Sequence, residues 1–98
     1  MQNSMHNNPP SGTVTFLFTD IEGSTKRWEK HPQDMGKAVA RHDELMRAAI
    51  ESHAGYVFKT VGDSFCAAFP TALDALGAAV AAQHALTAEA WAEIYHRL

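Results

Sequence analysis

The chain has 98 residues, 46% of them hydrophobic and 19% charged, with a net charge of −3. That is the composition of one ordinary globular domain with a single core. The acidic balance argues against a phosphate-backbone binder, which carries a basic footprint. The single cysteine, Cys66, excludes an internal disulfide, and no apolar run reaches membrane-spanning length.

Residues 1–12 are polar, lack an apolar secretory core and end in Pro9-Pro10-Ser11-Gly12. They read as a disordered leader to a domain over 13–98, and the chain as cytoplasmic. From Thr13 to Thr19, Val14, Phe16 and Phe18 alternate with Thr13, Thr15, Leu17 and Thr19, the period of a strand that ends at Asp20. Ser24 or Thr25 is placed to cap a short helix running through Trp28 and stopping near His31-Pro32. Pro32 suits the first turn of the next helix. There Met35, Val39, His42, Met46, Ala49, Ile50 and His53 recur at three- and four-residue intervals until Gly55 follows Ala54.

Tyr56–Val61 and Ser64–Phe69 are β-rich runs separated by Gly62-Asp63, the pattern of a hairpin. After Pro70, Thr71 is expected to cap a third helix, with Asp74 near its positive end. Leu73, Leu76, Val80 and the alanines are expected to form its buried face. Past Ala88 the periodicity is lost.

The order strand–helix–helix–strand–strand–helix is that of an α+β, ferredoxin-like split βαβ fold lacking its fourth strand. If the first two strands run parallel with the third between them, the Gly62-Asp63 turn lies where the first strand ends. Asp20 and Asp63, 43 positions apart (63 − 20), would then stand side by side. Two adjacent carboxylates repel unless a cation lies between them. Such a pair suits Mg²⁺ or Mn²⁺, which bind a few carboxylates together with phosphate oxygens. The Gly23-Ser24-Thr25 turn offers backbone donors to a polyphosphate in the same region. A lone Asp in either place would more commonly be a cap or turn residue; it is the convergence that points to a metal-assisted nucleotide site.

Phe18-Thr19-Asp20-Ile21-Glu22-Gly23-Ser24-Thr25 and Phe58-Lys59-Thr60-Val61-Gly62-Asp63-Ser64-Phe65 resemble, in order, the two metal motifs of the class III adenylate/guanylate cyclase catalytic domain. The wording around Trp28 is similar to bacterial members. The resemblance covers about Thr13 to Ala88 and implies the nucleotide cyclase fold. It implies two ions held by Asp20, Asp63 and the Ile21 carbonyl, with phosphates on Gly23, Ser24 and Thr25. Lys59 matches the base-reading position, where lysine goes with adenine, so ATP is the implied substrate, with GTP as the alternative. The implied partner is a second copy in a head-to-tail homodimer, or a complementary cyclase chain, with Lys59 serving the partner's metal site.

In that family a fourth strand, a second base-reading residue, an asparagine and an arginine follow the third helix. These are missing here, so an incomplete site and an exposed edge on the first strand are expected. A catalytically dead cyclase-like segment for dimerisation or nucleotide sensing is the alternative reading. An RNA-recognition module is the remote one, since Gly55-Tyr56-Val57-Phe58 echoes its aromatic strand but the charge is wrong. His6, His31, His42, His53, His84 and His96 lack zinc-site spacing. Cys66, Trp28 and Trp91 read as packing residues.

Overall fold

A computed structural model describes residues 9–91. The elements are β1 (Thr15–Thr19), α1 (Ser24–Lys30), α2 (Pro32–Glu51), β2 (Tyr56–Val61), β3 (Ser64–Phe69) and α3 (Ala72–Ala88). The leader expected over 1–12 lies outside the described residues as far as residue 8, as do His6 and His96.

The sheet order is β1-β3-β2, and β3 is antiparallel to both neighbours. β1 and β2 are therefore parallel with β3 between them, as the sequence predicts. Thr19 is paired with Phe65, and Val61 with Ser64. The end of β1 and the β2–β3 turn thus share one end of the sheet. Gly62 makes that turn with φ +58°, a left-handed conformation that glycine adopts without steric cost. At Phe58 a bulge breaks the β2 register between Val57 and Lys59.

Both long helices pack on one face of the sheet. Phe65, Ala67 and Phe69 of β3 point into this layer and meet Met46, Ala49 and Ile50 of α2 and Ala75, Ala78 and Ala82 of α3. The expected stripe of α2 is buried at Met35, His42, Met46, Ala49 and Ile50. α3 departs from expectation. Its buried face is alanine, whereas Leu73, Leu76 and Val80 are 77%, 60% and 47% exposed. The large residues Phe65, Phe69 and Ile50 already fill the space above the sheet, so a close helix with small side chains fits there. At Gly77 an added Cβ would stand 2.8 Å from the His53 ring, which shows how near α3 lies to the end of α2.

Two helix ends also differ from the sequence reading. The residue before α1 is Gly23 in the left-handed region (φ 70°), with no side-chain cap; Ser24 is already helical. After α2, Ala54 takes the left-handed conformation (φ 64°) expected of a glycine. Gly55 is needed for space instead, because a Cβ there would meet Ile50 at 2.5 Å and Phe69 at 2.6 Å. Thr71 caps α3 as expected, its Oγ1 accepting from the Asp74 N–H at 3.0 Å. No described helix is long and apolar enough to cross a membrane.

Candidate metal and nucleotide site

The end of the sheet where β1 stops and the hairpin turns is cross-tied by side chains. The Ile21 N–H donates to Asp63 Oδ1 at 3.3 Å, and the Ser64 hydroxyl donates to Asp20 Oδ1 at 3.3 Å. Each carboxylate therefore receives a donor from the other segment. The Phe65 N–H donates to Thr19 Oγ1 at 3.3 Å in the same row. Asp63 is buried (7% exposed) and Asp20 is exposed. One carboxylate is thus anchored in the fold while the other faces solvent beside it.

The turn between β1 and α1 completes this end. Gly23 holds its left-handed φ, and the Ser24 N–H returns to the Ile21 carbonyl at 3.3 Å. That carbonyl keeps a second lone pair. Arg27 was not singled out from the sequence, but its Nη1 donates to the Glu22 carbonyl at 2.7 Å and lays a guanidinium beside the turn. Its position four residues after Gly23, one helical turn on, was the available signal. Ser64 is a second residue that sequence reasoning misses; next to Asp63 at the start of the central strand β3, it lies one position beyond the Thr19–Phe65 pair and so at the end of β1.

Two hollows border the same region. One, of about 410 Å³, is lined by Asp20, Ile21, Arg27 and His42 among apolar residues; the other, of about 310 Å³, lies between β1 and α3. His42 is buried, with Nδ1 3.0 Å from Asp43 and its ring edge-on to Phe65. Arg41 grips Glu89 with two hydrogen bonds of 2.8 and 3.1 Å and also reaches Glu44, tying the segment after α3 to α2. The Arg41 bond holds the Glu89 carboxyl below its ordinary pKa and raises that of the guanidinium.

Lys59 makes no hydrogen bond or ion pair with Asp20 or Asp63 among the described residues. It stands exposed on β2 opposite Cys66, on the face of the sheet that no described helix covers. Residues paired across strands share a face, so this open face carries Phe16, Phe18, Cys66, Lys59 and Val61. Phe16 stacks on Phe18 at 6.0 Å and meets Phe58 edge-on at 5.8 Å. Among the described residues no three His, Cys, Asp or Glu side chains gather as a metal-ligand set. The site offers two carboxylates and a backbone carbonyl.

A family model described as the adenylate and guanylate cyclase catalytic domain matches residues 6–93. An adenylate cyclase of Podospora anserina is 42% identical over 88 residues, which cover 89% of this chain and 4% of that protein. A receptor-type adenylate cyclase of Trypanosoma brucei brucei, GRESAG 4.3, is 54% identical over 56 residues, 57% of this chain and 5% of that protein. Among solved structures, an adenylate cyclase from Trypanosoma brucei, described in its monomeric state, superposes with a TM-score of 0.77 at 41% identity. That alignment covers 80% of this chain and 33% of the solved one. The chain therefore spans a third or less of the length of these relatives. With its sheet order, its paired aspartates and this match, the chain belongs to the adenylate and guanylate cyclase catalytic domain family.

Proposed function

We propose that the chain carries the metal-binding half of a class III purine nucleotide cyclase site, with ATP preferred over GTP. The observation that supports it most directly is the pairing of Asp20 and Asp63, each tied to the other's segment at adjacent strand ends. Two carboxylates and the Ile21 carbonyl are hard oxygen donors, the set that Mg²⁺ and Mn²⁺ take when substrate phosphates supply the rest. When bound, two such ions would lower the pKa of an attacking hydroxyl and stabilise negative charge on the leaving pyrophosphate.

The protein's own part is to hold and orient. Asp63, anchored in the core, fixes one position, and Asp20 closes on it from solvent. Gly23, Ser24 and Thr25, by their match to the family motif, hold the phosphates, Gly23 and Thr25 through backbone N–H groups and Ser24 through its hydroxyl, since its N–H bonds the Ile21 carbonyl. Lys59 reads the purine in the site of a partner subunit, either a second copy or a complementary cyclase chain. Among the described residues of its own chain, Lys59 has no bond to Asp20 or Asp63, which leaves it available to a partner. In the reaction the ribose 3′-oxygen forms a bond to the α-phosphorus while the bond to the β-phosphate bridging oxygen breaks. Cyclic AMP and pyrophosphate result, and the hydroxyl proton passes to solvent. The domain is taken to start at Thr13 and to act in the cytoplasm.

The donors that the family places after its third helix are not among residues 13–88. Each transition-state donor is worth about 10²–10³ in rate, so the chain alone is expected to bind Mn²⁺ and ATP with turnover near background. Formation of cyclic AMP and cyclic GMP from ATP and GTP with Mn²⁺, beside Mn²⁺ binding, tests this, with Asp20→Ala as control. Loss of Mn²⁺-dependent ATP binding in that variant supports the half-site. Binding that is indifferent to Asp20 refutes it. Asp20-dependent cyclic AMP formation would refute the inactivity and keep the site. A second reading, a catalytically dead segment for association, draws on the apolar faces left exposed at Leu73, Leu76, Phe16 and Phe18. It is favoured if the chain dimerises but binds no nucleotide.

A further inference from the structure

Asp20 and Asp63 are held by different kinds of donor, yet both bonds engage the same number of oxygens. The backbone N–H of Ile21 occupies Oδ1 of Asp63, and the Ser64 hydroxyl occupies Oδ1 of Asp20, each at 3.3 Å. Among the described residues neither carboxylate makes another hydrogen bond or ion pair. Each therefore keeps one unengaged oxygen, Oδ2. We propose that Ser64 is a metal-specificity residue: its hydroxyl holds Asp20 to a single free oxygen and so favours Mg²⁺ or Mn²⁺ over Ca²⁺. This role rests on the metal site proposed above.

The discrimination follows from how the ions use carboxylates. Mg²⁺ takes near-ideal octahedral geometry at about 2.0–2.1 Å, keeps several waters and binds one or two carboxylates. Ca²⁺ gathers about six to eight oxygens at longer range, and carboxylates often serve it with both oxygens at once. A carboxylate with Oδ1 already engaged has to give up that bond before it can bind an ion in this way. For Asp63 the release is costly, because the group is buried and its donor is a fixed backbone N–H. Asp20 is exposed and its donor is a rotatable hydroxyl, so the choice between one oxygen and two falls to Ser64.

Ser64 is well placed to hold that bond. It begins β3, paired with Val61 across the two-residue turn. The next residue, Phe65, is paired with Thr19, and its N–H donates to Thr19 Oγ1 at 3.3 Å. The backbone that carries the hydroxyl is thus tied to both neighbouring strands. A serine adds no charge, so it changes how Asp20 is presented without changing the charge that the ion meets.

The test uses the 98-residue chain with Mn²⁺ as the probe, free Mn²⁺ read by electron paramagnetic resonance and Ca²⁺ as competitor. In Ser64→Ala the second oxygen of Asp20 is released. Partners of a metal-binding side chain are typically worth about 10–100-fold in affinity. Mn²⁺ binding should therefore weaken, and the ratio of the Ca²⁺ to the Mn²⁺ dissociation constant should fall about tenfold. A general loosening of the strand end would weaken both ions alike and leave that ratio unmoved. Ser64→Thr and Ser64→Val, similar in shape and suited to a strand, differ in the hydroxyl and keep the test informative if the alanine variant does not fold. The threonine should retain the parent ratio and the valine should lower it. An unchanged ratio in the alanine and valine variants overturns the role of Ser64, as does a threonine that behaves like valine. If Mn²⁺ binding in the parent is lost in Asp20→Ala, such a result leaves the metal site standing. If Mn²⁺ binding is absent or indifferent to Asp20, the site and the role of Ser64 fall together.

Discussion

Asp63 and Gly55 show how much a single residue's surroundings decide. Asp63 is a buried carboxylate at a hairpin turn, held by the Ile21 N–H. Burial of a charge is tolerated only where it is paired or coordinated. Asp63→Asn is expected to abolish Mn²⁺ binding, measured by electron paramagnetic resonance of the free ion, while leaving the thermal melt near that of the parent. A melt that collapses instead would make Asp63 a purely structural residue. Gly55 has no room for a methyl group, with Ile50 and Phe69 already inside van der Waals distance of one. Gly55→Ala should destabilise by about 1–3 kcal/mol through overpacking, read from urea denaturation. Ala54 takes the left-handed conformation beside it. The Gly55 of the sequence was legible as the end of a helix but for a different reason, since a glycine signal does not distinguish a need for φ from a need for space.

At the scale of elements, α3 separates what periodicity shows from what it leaves open. The helix itself was plain from Thr71 and Asp74 at its start and from the loss of pattern after Ala88. Its buried face was not, because leucines, a valine and alanines are all apolar and lie on every side. The choice came from the volume left by Phe65, Phe69 and Ile50 beneath it. Ala78→Leu should therefore cost about 1–3 kcal/mol. Leu76→Ala, at an exposed position, should stay within about 0.5 kcal/mol, and the reverse ranking in chemical denaturation would restore the leucine face. The segment after α3 is held by the Arg41–Glu89 pair. Glu89 has its pKa lowered in the folded chain, so its contribution is present above the ordinary carboxylate value. It is lost as pH falls through the lower, folded value. Trp91, which bonds the Leu86 carbonyl, should report that release in its fluorescence as the pH falls below the ordinary carboxylate range. Glu89→Gln should remove the acid transition while Trp91 remains emissive.

Among the described residues, one sheet face lies under two helices while the other carries the exposed side chains of Phe16, Phe18 and Phe58. The chain is expected to be marginally stable and to associate through its exposed apolar surfaces. A purified chain that is monomeric and unfolds cooperatively with ordinary stability would contradict this.

The order of elements is legible in the chain, because strand alternation, caps and turn residues are local signals, and short, right-handed connections leave few ways to join them. If β1 and β2 are parallel with β3 between them, as the structure has them, the segments of Asp20 and Asp63 share one end of the sheet. Packing sets which of the two is buried, that Ser64 and Ile21 tie their segments together, and which face of α3 turns inward. Those outcomes depend on how large side chains from separate elements share one limited volume, and no local pattern records that.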